Sequence, residues 1–214
     1  MRSKFDQQLA LLNKEMIEMG ALCEEIISDV LRALLQKDST FLNKIPSLGA
    51  EIDRKERAIE TLCLKLLLQQ QPVAKDLRQI SAALKMITDM ERIGDQAEDI
   101  ARITPFVTNR PPKIDTLLHK MAESSIKMVT ESVDAFVEQN IDLAKKVLID
   151  DDIVDNYFTL IKRELIHEII ERTNDGECYI DLLMISKYFE RIADHATNIA
   201  EWVVFSVTGI HKEG

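Results

Sequence analysis

Two stretches of this chain place carboxylates four residues apart, and they do so about a hundred residues from each other. Glu91, Asp95 and Asp99 are spaced i, i+4, i+8, and Glu190 and Asp194 repeat the pattern with Asn198 in the third place. On a helix such residues share one face, here rotated roughly 100–200° from an apolar seam. Like charges at this spacing repel and cost a helix about 0.2–0.5 kcal/mol per pair, so their recurrence points to a cation that offsets them. Asp151 and Asp155 form a third such pair. If their helix packs antiparallel to the one carrying Glu190 and Asp194, four carboxylates converge as oxygen ligands for a hard cation such as Mg, Mn, Fe or Ca. The earlier counterpart is thinner. Asp155 corresponds to Asp53, but Asp151 corresponds to Gly49, which removes one ligand and leaves Glu56 and Glu60 to compensate. Metal is therefore expected mainly in the second half.

A plainer reading stands beside this one. An acidic stripe opposite an apolar seam is the ordinary solvated face of an amphipathic helix. Arg92 and Arg191 are also placed to pair with Asp95 and Asp194 at i+3 as surface ion pairs. Other chemistries find little support. A ferritin-like di-iron site needs two Glu-x-x-His pairs, and only Glu164-Leu165-Ile166-His167 matches. His195 falls one residue off the stripe and reads as a surface or supporting group, while His119, His167 and His211 lack metal-ligand spacing. No glycine-rich phosphate loop, Ser/His/Asp order or Cys/His pairing is visible, so nothing marks an enzyme.

The elements that must hold these residues are helices. Only six glycines and five prolines occur in 214 residues, and no proline follows Pro111-Pro112. That is too few turn formers for a many-stranded fold. Breakers divide the chain into helical segments at about 3–36, 39–71, 74–107, 114–139, 141–173 and 178–208. Pro46 is expected to kink or delay the second, and the stretch Gln69-Gln70-Gln71-Pro72 to end it. Asn109-Arg110-Pro111-Pro112-Lys113 is the best linker, and Asn174-Asp175-Gly176 a turn. The eleven residues from Glu91 to Ala101 align without gaps to Glu190–Ala200 with seven identities, an offset of 99. An offset of 102 earlier pairs Ala33 with Ala135, Lys44 with Lys146 and Ile59 with Ile161. The chain is thus one unit written twice. Each third helix carries a heptad-like seam: Met86, Met90, Ile93, Ala97 and Ile100, then Ile185, Phe189, Ile192, Ala196, Ile199 and Val203. The fold class expected is all-α, two tandem antiparallel three-helix bundles of six long helices, over residues 1–109 and 110–214, joined end to end. The eight methionines and the Leu62–Leu68 stretch read as core.

Composition narrows the setting. Twenty-seven Lys and Arg against 37 Asp and Glu give a net charge of −10, which repels phosphate backbones and argues against nucleic acid. Apolar runs of four residues fall far short of the roughly 20 a membrane span needs. Cys23, Cys63 and Cys178 are odd in number, lack CxxC spacing and read as buried thiols of a reducing cytosol. No signal-peptide pattern opens the sequence. A soluble cytoplasmic protein is expected.

In sequence the chain resembles the PhoU family of phosphate-signalling proteins. The likeness rests on Glu91-Arg92-Ile93-Gly94-Asp95 and its echo Glu190-Arg191-Ile192-Ala193-Asp194. Gln71-Pro72-Val73-Ala74-Lys75-Asp76-Leu77-Arg78 and Asp151–Asp155 support it, and it spans nearly the whole chain. The resemblance implies two similar three-helix bundles whose E(D)xxxD motifs bind multinuclear iron or zinc clusters in some members, here Glu91 with Asp95, Glu190 with Asp194, and Asp151 with Asp155. Asp53 keeps half of the remaining motif and Gly49 departs from it. It further implies a non-enzymatic, cytoplasmic negative regulator of the phosphate regulon that links the Pst phosphate ABC transporter, through its PstB-type ATPase, to a PhoR-type histidine kinase. A homodimer is a further expectation, because long two-sided helices leave an apolar stripe to cover. Two other functions stay open on the residues: a metal-binding or storage protein whose carboxylates, with Mg or Mn also acceptable, are the working parts, and an accessory protein of another phosphate permease.

Overall fold

A computed structural model of the protein describes residues 2–69, 73–108, 110–171 and 176–210. Six long helices carry nearly all of them: α1 (Arg2–Gln36), α2 (Ile45–Gln69), α3 (Ala74–Ile103), α4 (Pro112–Glu138), α5 (Ile141–Glu171) and α6 (Gly176–Thr208), with no strand among the described residues. Short 3-10 turns at Leu42–Lys44 and Thr104–Phe106 precede α2 and follow α3. The proline signals are met in kind. Pro46 falls in the first turn of α2, where its missing N–H costs nothing, and Pro112 opens α4. Asp38 accepts from the Thr40 backbone N–H at 2.9 Å and so shapes the turn after α1. The expected breaks at residues 70–72, at Asn109 and at 172–175 lie outside the described residues.

The duplication is visible in the backbone itself. Lys37 and Gln139, 102 positions apart, both adopt the left-handed conformation (φ 55° and 54°) directly after α1 and α4. Both seams are fully buried, from Met86 to Ile100 on α3 and from Ile185 to Val203 on α6.

The two three-helix bundles are not joined end to end. α1 packs along α4 and α3 along α6, while α2 flanks α1 and α3 and α5 flanks α4 and α6. The partners run antiparallel. Glu24 of α1 accepts from the Thr130 hydroxyl of α4 at 3.1 Å, whereas Arg110, just before α4, reaches the Leu35 carbonyl near the end of α1. Likewise Asp89 of α3 meets His195 of α6, and Arg78 near the start of α3 meets the Ser206 carbonyl near the end of α6. A single apolar core therefore runs through both repeats. Side-by-side packing wins because α1, α3, α4 and α6 each bear apolar residues on more than one side, and only lateral contact buries them. Gly20 permits the approach of α1 to α4: a Cβ there would lie 3.2 Å from Val133 Cγ2.

The linker is clamped rather than loose. The nearly buried Arg110 donates through Nε to Asp115 Oδ1 at 2.5 Å and through Nη2 to the Leu35 carbonyl at 3.4 Å, tying α1, the linker and α4 together. Two core expectations need correcting. Leu64 and Leu68 project outward, Leu68 at 86% exposure, and so does Met184. Cys178 is only partly buried, unlike Cys23 and Cys63.

Candidate metal centre

The acidic stripes face the grooves beside α2 and α5. In the second repeat, α5 and α6 run antiparallel and bring Asp151 and Asp155 towards Glu190 and Asp194. The charges of these residues are felt mutually. Burial, followed by Asp155, Asp194, Asp152 and Glu190, pushes the Asp151 carboxyl up to about 6. Asp194 is raised by burial and then by Glu190 and Asp155, against lowering by Lys187 and His195. A carboxylate held against its preference for charge, beside three more, is a site that gains from a cation. Lys187 supplies part of that charge now, through an ion pair with Glu190.

In the first repeat, Asp53, Glu56, Glu91 and Asp95 form the corresponding groove between α2 and α3. Glu91 is raised by burial, then by Asp95, against Arg92, with Glu56 and Asp53 adding to the rise. Arg92 pairs with Asp95 at 3.1 Å and with Glu91 at 3.4 Å, so the ordinary ion-pair reading holds on α3. On α6 the pairing is Lys187 with Glu190 instead, and among the described residues Arg191 makes no ion pair with Asp194. Asp99 turns away from the groove acids to Arg102.

Gly49 shows what the sequence alone missed. A side chain at 49 would collide with Glu98 Oε1, so the Glu98 carboxylate stands where the second repeat places the side chain of Asp151. Glu98 is raised by burial, lowered by Arg102, and raised again by Asp95, Asp53 and Asp99. Glu56 shares this groove, but Glu98 is the residue that fills the gap. Its position was readable in hindsight, since it lies i+3 from Asp95 and i+7 from Glu91 on the same side of α3.

Between the two grooves, His195 Nδ1 and Asn198 Nδ2 meet Asp89 Oδ1 at 2.9 and 3.0 Å. These contacts bind α3 to α6, which gives His195 and Asn198 structural work beside the acidic groups. His167 pairs with Glu171 on the surface of α5 and approaches no acidic groove. Burial pushes the Cys23 and Cys63 thiols up to about 12, which leaves them protonated and unsuited to metal. Among the described residues, no three His, Cys, Asp or Glu side chains are already drawn together around one point, so the grooves are electrostatic basins rather than closed cages. No helix among the described residues is long and apolar enough to cross a membrane.

The comparisons with known proteins agree with this layout. The family model of the PhoU domain matches twice, over residues 16–104 and 118–203. A Clostridium acetobutylicum protein named phosphate-specific transport system accessory protein PhoU homolog is 34% identical over 210 residues, covering 97% of this chain and 96% of its own. A Synechocystis protein of the same name is 36% identical over 212 residues, covering 97% and 93%. The crystal structure of PhoU from Pseudomonas aeruginosa superposes with a TM-score of 0.90 at 32% identity, over 96% of this chain and all of that one. The phosphate transport system regulatory protein PhoU from Streptococcus pneumoniae gives 0.87 at 28% identity, over 98% and 99%. With the doubled acidic helices, the shared six-helix layout and matches that run the length of the chain, this protein belongs to the PhoU family.

Proposed function

We propose that this chain is a non-enzymatic regulator of phosphate uptake and of the phosphate regulon, acting at the cytoplasmic face of a Pst-type phosphate transporter. In this reading it links the transporter's PstB-type ATPase to a PhoR-type histidine kinase and restrains both when phosphate is plentiful. The observation that carries the reading is similarity along the whole chain to proteins named accessory to phosphate-specific transport. A strain lacking the gene should keep its phosphate-starvation genes on in high phosphate, and tagged protein should retain the ATPase from detergent extracts. Normal shut-off in the deletion strain overturns the proposal.

The acidic grooves are its proposed metal sites. Asp151, Asp155, Glu190 and Asp194 hold the second, and Asp53, Glu91 and Asp95, with Glu98 in place of the missing ligand, hold the first. Carboxylates suit Fe, Mn or Mg, and also zinc in multinuclear clusters. Bound cations would reverse the local charge of a −10 chain and give its partners a face to recognise. Elemental analysis of protein purified without chelator tests this. Well under one metal per chain, unchanged in Asp95→Asn and Asp194→Asn, rejects it. A homodimer is proposed on the apolar residues left exposed at matching places on α2 and α5, Leu64 and Leu68 against Ile166 and Ile170. Sedimentation of wild type against Leu68→Asp with Ile170→Asp decides it.

A further inference from the structure

The two repeats also differ on the side of the molecule formed by α1 and α4, well removed in sequence from the acidic grooves. In the second repeat four charges close a ring across α4 and α5. Lys146 Nζ lies 2.5 Å from Glu131 Oε1 and 3.6 Å from Asp150 Oδ2, and Lys127 Nζ lies 3.3 Å from Asp150 Oδ2 and 4.0 Å from Glu131 Oε1. Shifted by 102, these four positions are Glu25, Asp29, Lys44 and Leu48. One lysine has become a glutamate and one aspartate a leucine, so a neutral ring has become a set with an excess negative charge. The lysine that remains does not close it. Lys44 sits in the 3-10 turn before α2, whereas Lys146 is already inside α5, and among the described residues Asp29 pairs with Arg32 and not with Lys44.

What stands there instead is an open cavity of about 330 Å³, lined by Glu24, Glu25, Ser28, Asp29, Arg32 and Lys44. Asp29 is 3% exposed, and its buried Oδ2 has no hydrogen-bond partner. Only Oδ1 is engaged, by a long 3.5 Å contact to Arg32 Nη1. Glu24 is held to one side by the Thr130 hydroxyl at 3.1 Å. Glu25 is exposed, one helical turn before Asp29, and makes no ion pair or hydrogen bond through its side chain among the described residues. A buried carboxylate oxygen left unsatisfied is costly, and a folded chain seldom carries that cost without a ligand or ordered water.

We infer that Glu25 and Asp29 bind a hard divalent cation of the magnesium class, seated where the second repeat places the ammonium of Lys127. Two carboxylates i, i+4 on one helix supply the anionic oxygens, and solvent completes the shell through the open side of the cavity, as such ions prefer. The site is separate from the acidic grooves and does not depend on their proposed role.

Chelator-stripped full-length protein titrated with Mn²⁺, with free ion followed by electron paramagnetic resonance, tests the inference. Glu25→Lys rebuilds the second repeat's charge pattern on an exposed helix position and should bind one ion fewer than wild type. Asp29→Asn should weaken that ion by about tenfold or more, since affinity at oxygen sites follows ligand charge. Lys44→Gln removes the competing ammonium and should tighten it. Asp95→Asn with Asp194→Asn should leave this ion in place, so a loss there with none in Glu25→Lys tells against this site alone, and the reverse tells against the acidic grooves alone. Equal stoichiometry in wild type and Glu25→Lys, or weaker binding in Lys44→Gln, overturns the inference.

Discussion

The groove between α5 and α6 and the groove between α2 and α3 are built from the same repeat, yet they gather their acid differently. In the second, α5 contributes Asp151 and Asp155 and α6 contributes Glu190 and Asp194, two from each helix. In the first, Gly49 withdraws one carboxylate from α2, and Glu98 reaches over from α3 to occupy its place. A carboxylate delivered by a longer side chain from the opposite helix conserves charge but not geometry. Duplicated grooves can thus diverge in which helix delivers a carboxylate while keeping their electrostatics, because the field depends on where charge is and not on which residue carries it.

That comparison presumes one folded body, and the largest expected effect tests it. Phe189→Ala, at the centre of the α6 seam, should cost about 3–5 kcal/mol. Because the core is continuous, hydrogen exchange should quicken in α1–α3 as well as in α4–α6. Acceleration confined to the second repeat would mean that the two fold separately. Next, if the grooves bind metal as proposed, Asp155→Asn should lower metal affinity at its groove by about tenfold or more and remove more metal than Asp53→Asn, since the second groove draws half its carboxylates from α5. Equal losses would erase the asymmetry.

The Asp151 carboxyl gives a smaller, pH-dependent contrast. Its value is raised in the folded chain from 3.8 to about 6. The folded state therefore holds the extra proton, and the contribution of this one group to the stability of the metal-free protein is most favourable below about pH 4 and is lost as pH rises through 6. Asp151→Asn should stabilise stripped protein at pH 8 by on the order of 1 kcal/mol after solvent screening, or about 2–4 °C in Tm, with the gain fading towards pH 4. A gain that persists at pH 4 would assign the effect to packing. The subtlest test joins Gly49→Asp to Glu98→Ala, which writes the second groove's ligand pattern into the first. Metal content of the two grooves, read with Asp155→Asn as the blank, should then draw level.

Much of this was legible along the chain. Helices, repeat and seams follow from periodicity, because a 3.6-residue repeat of apolar side chains admits few alternatives once glycine and proline are scarce. The acidic stripes were legible for the same reason, i and i+4 being neighbours on any helix. The side of α3 that carries Glu98 was legible too, but not that its side chain fills the place left by Gly49, because that depends on the distance between α2 and α3. The Asp89–His195–Asn198 contact was not either, for it joins residues more than a hundred positions apart.

What the sequence determined by itself is the set of parts: six amphipathic helices, a unit written twice, and carboxylates one turn apart on matching faces. Those are local facts, set by bond geometry and side-chain period. Tertiary structure alone decided that the repeats lie side by side on one core, that Glu98 covers Gly49, and that Lys146 closes a ring which Lys44 leaves open. Each of these turns on how far apart two helices settle, and that distance is fixed by packing across the whole molecule rather than by any stretch of it.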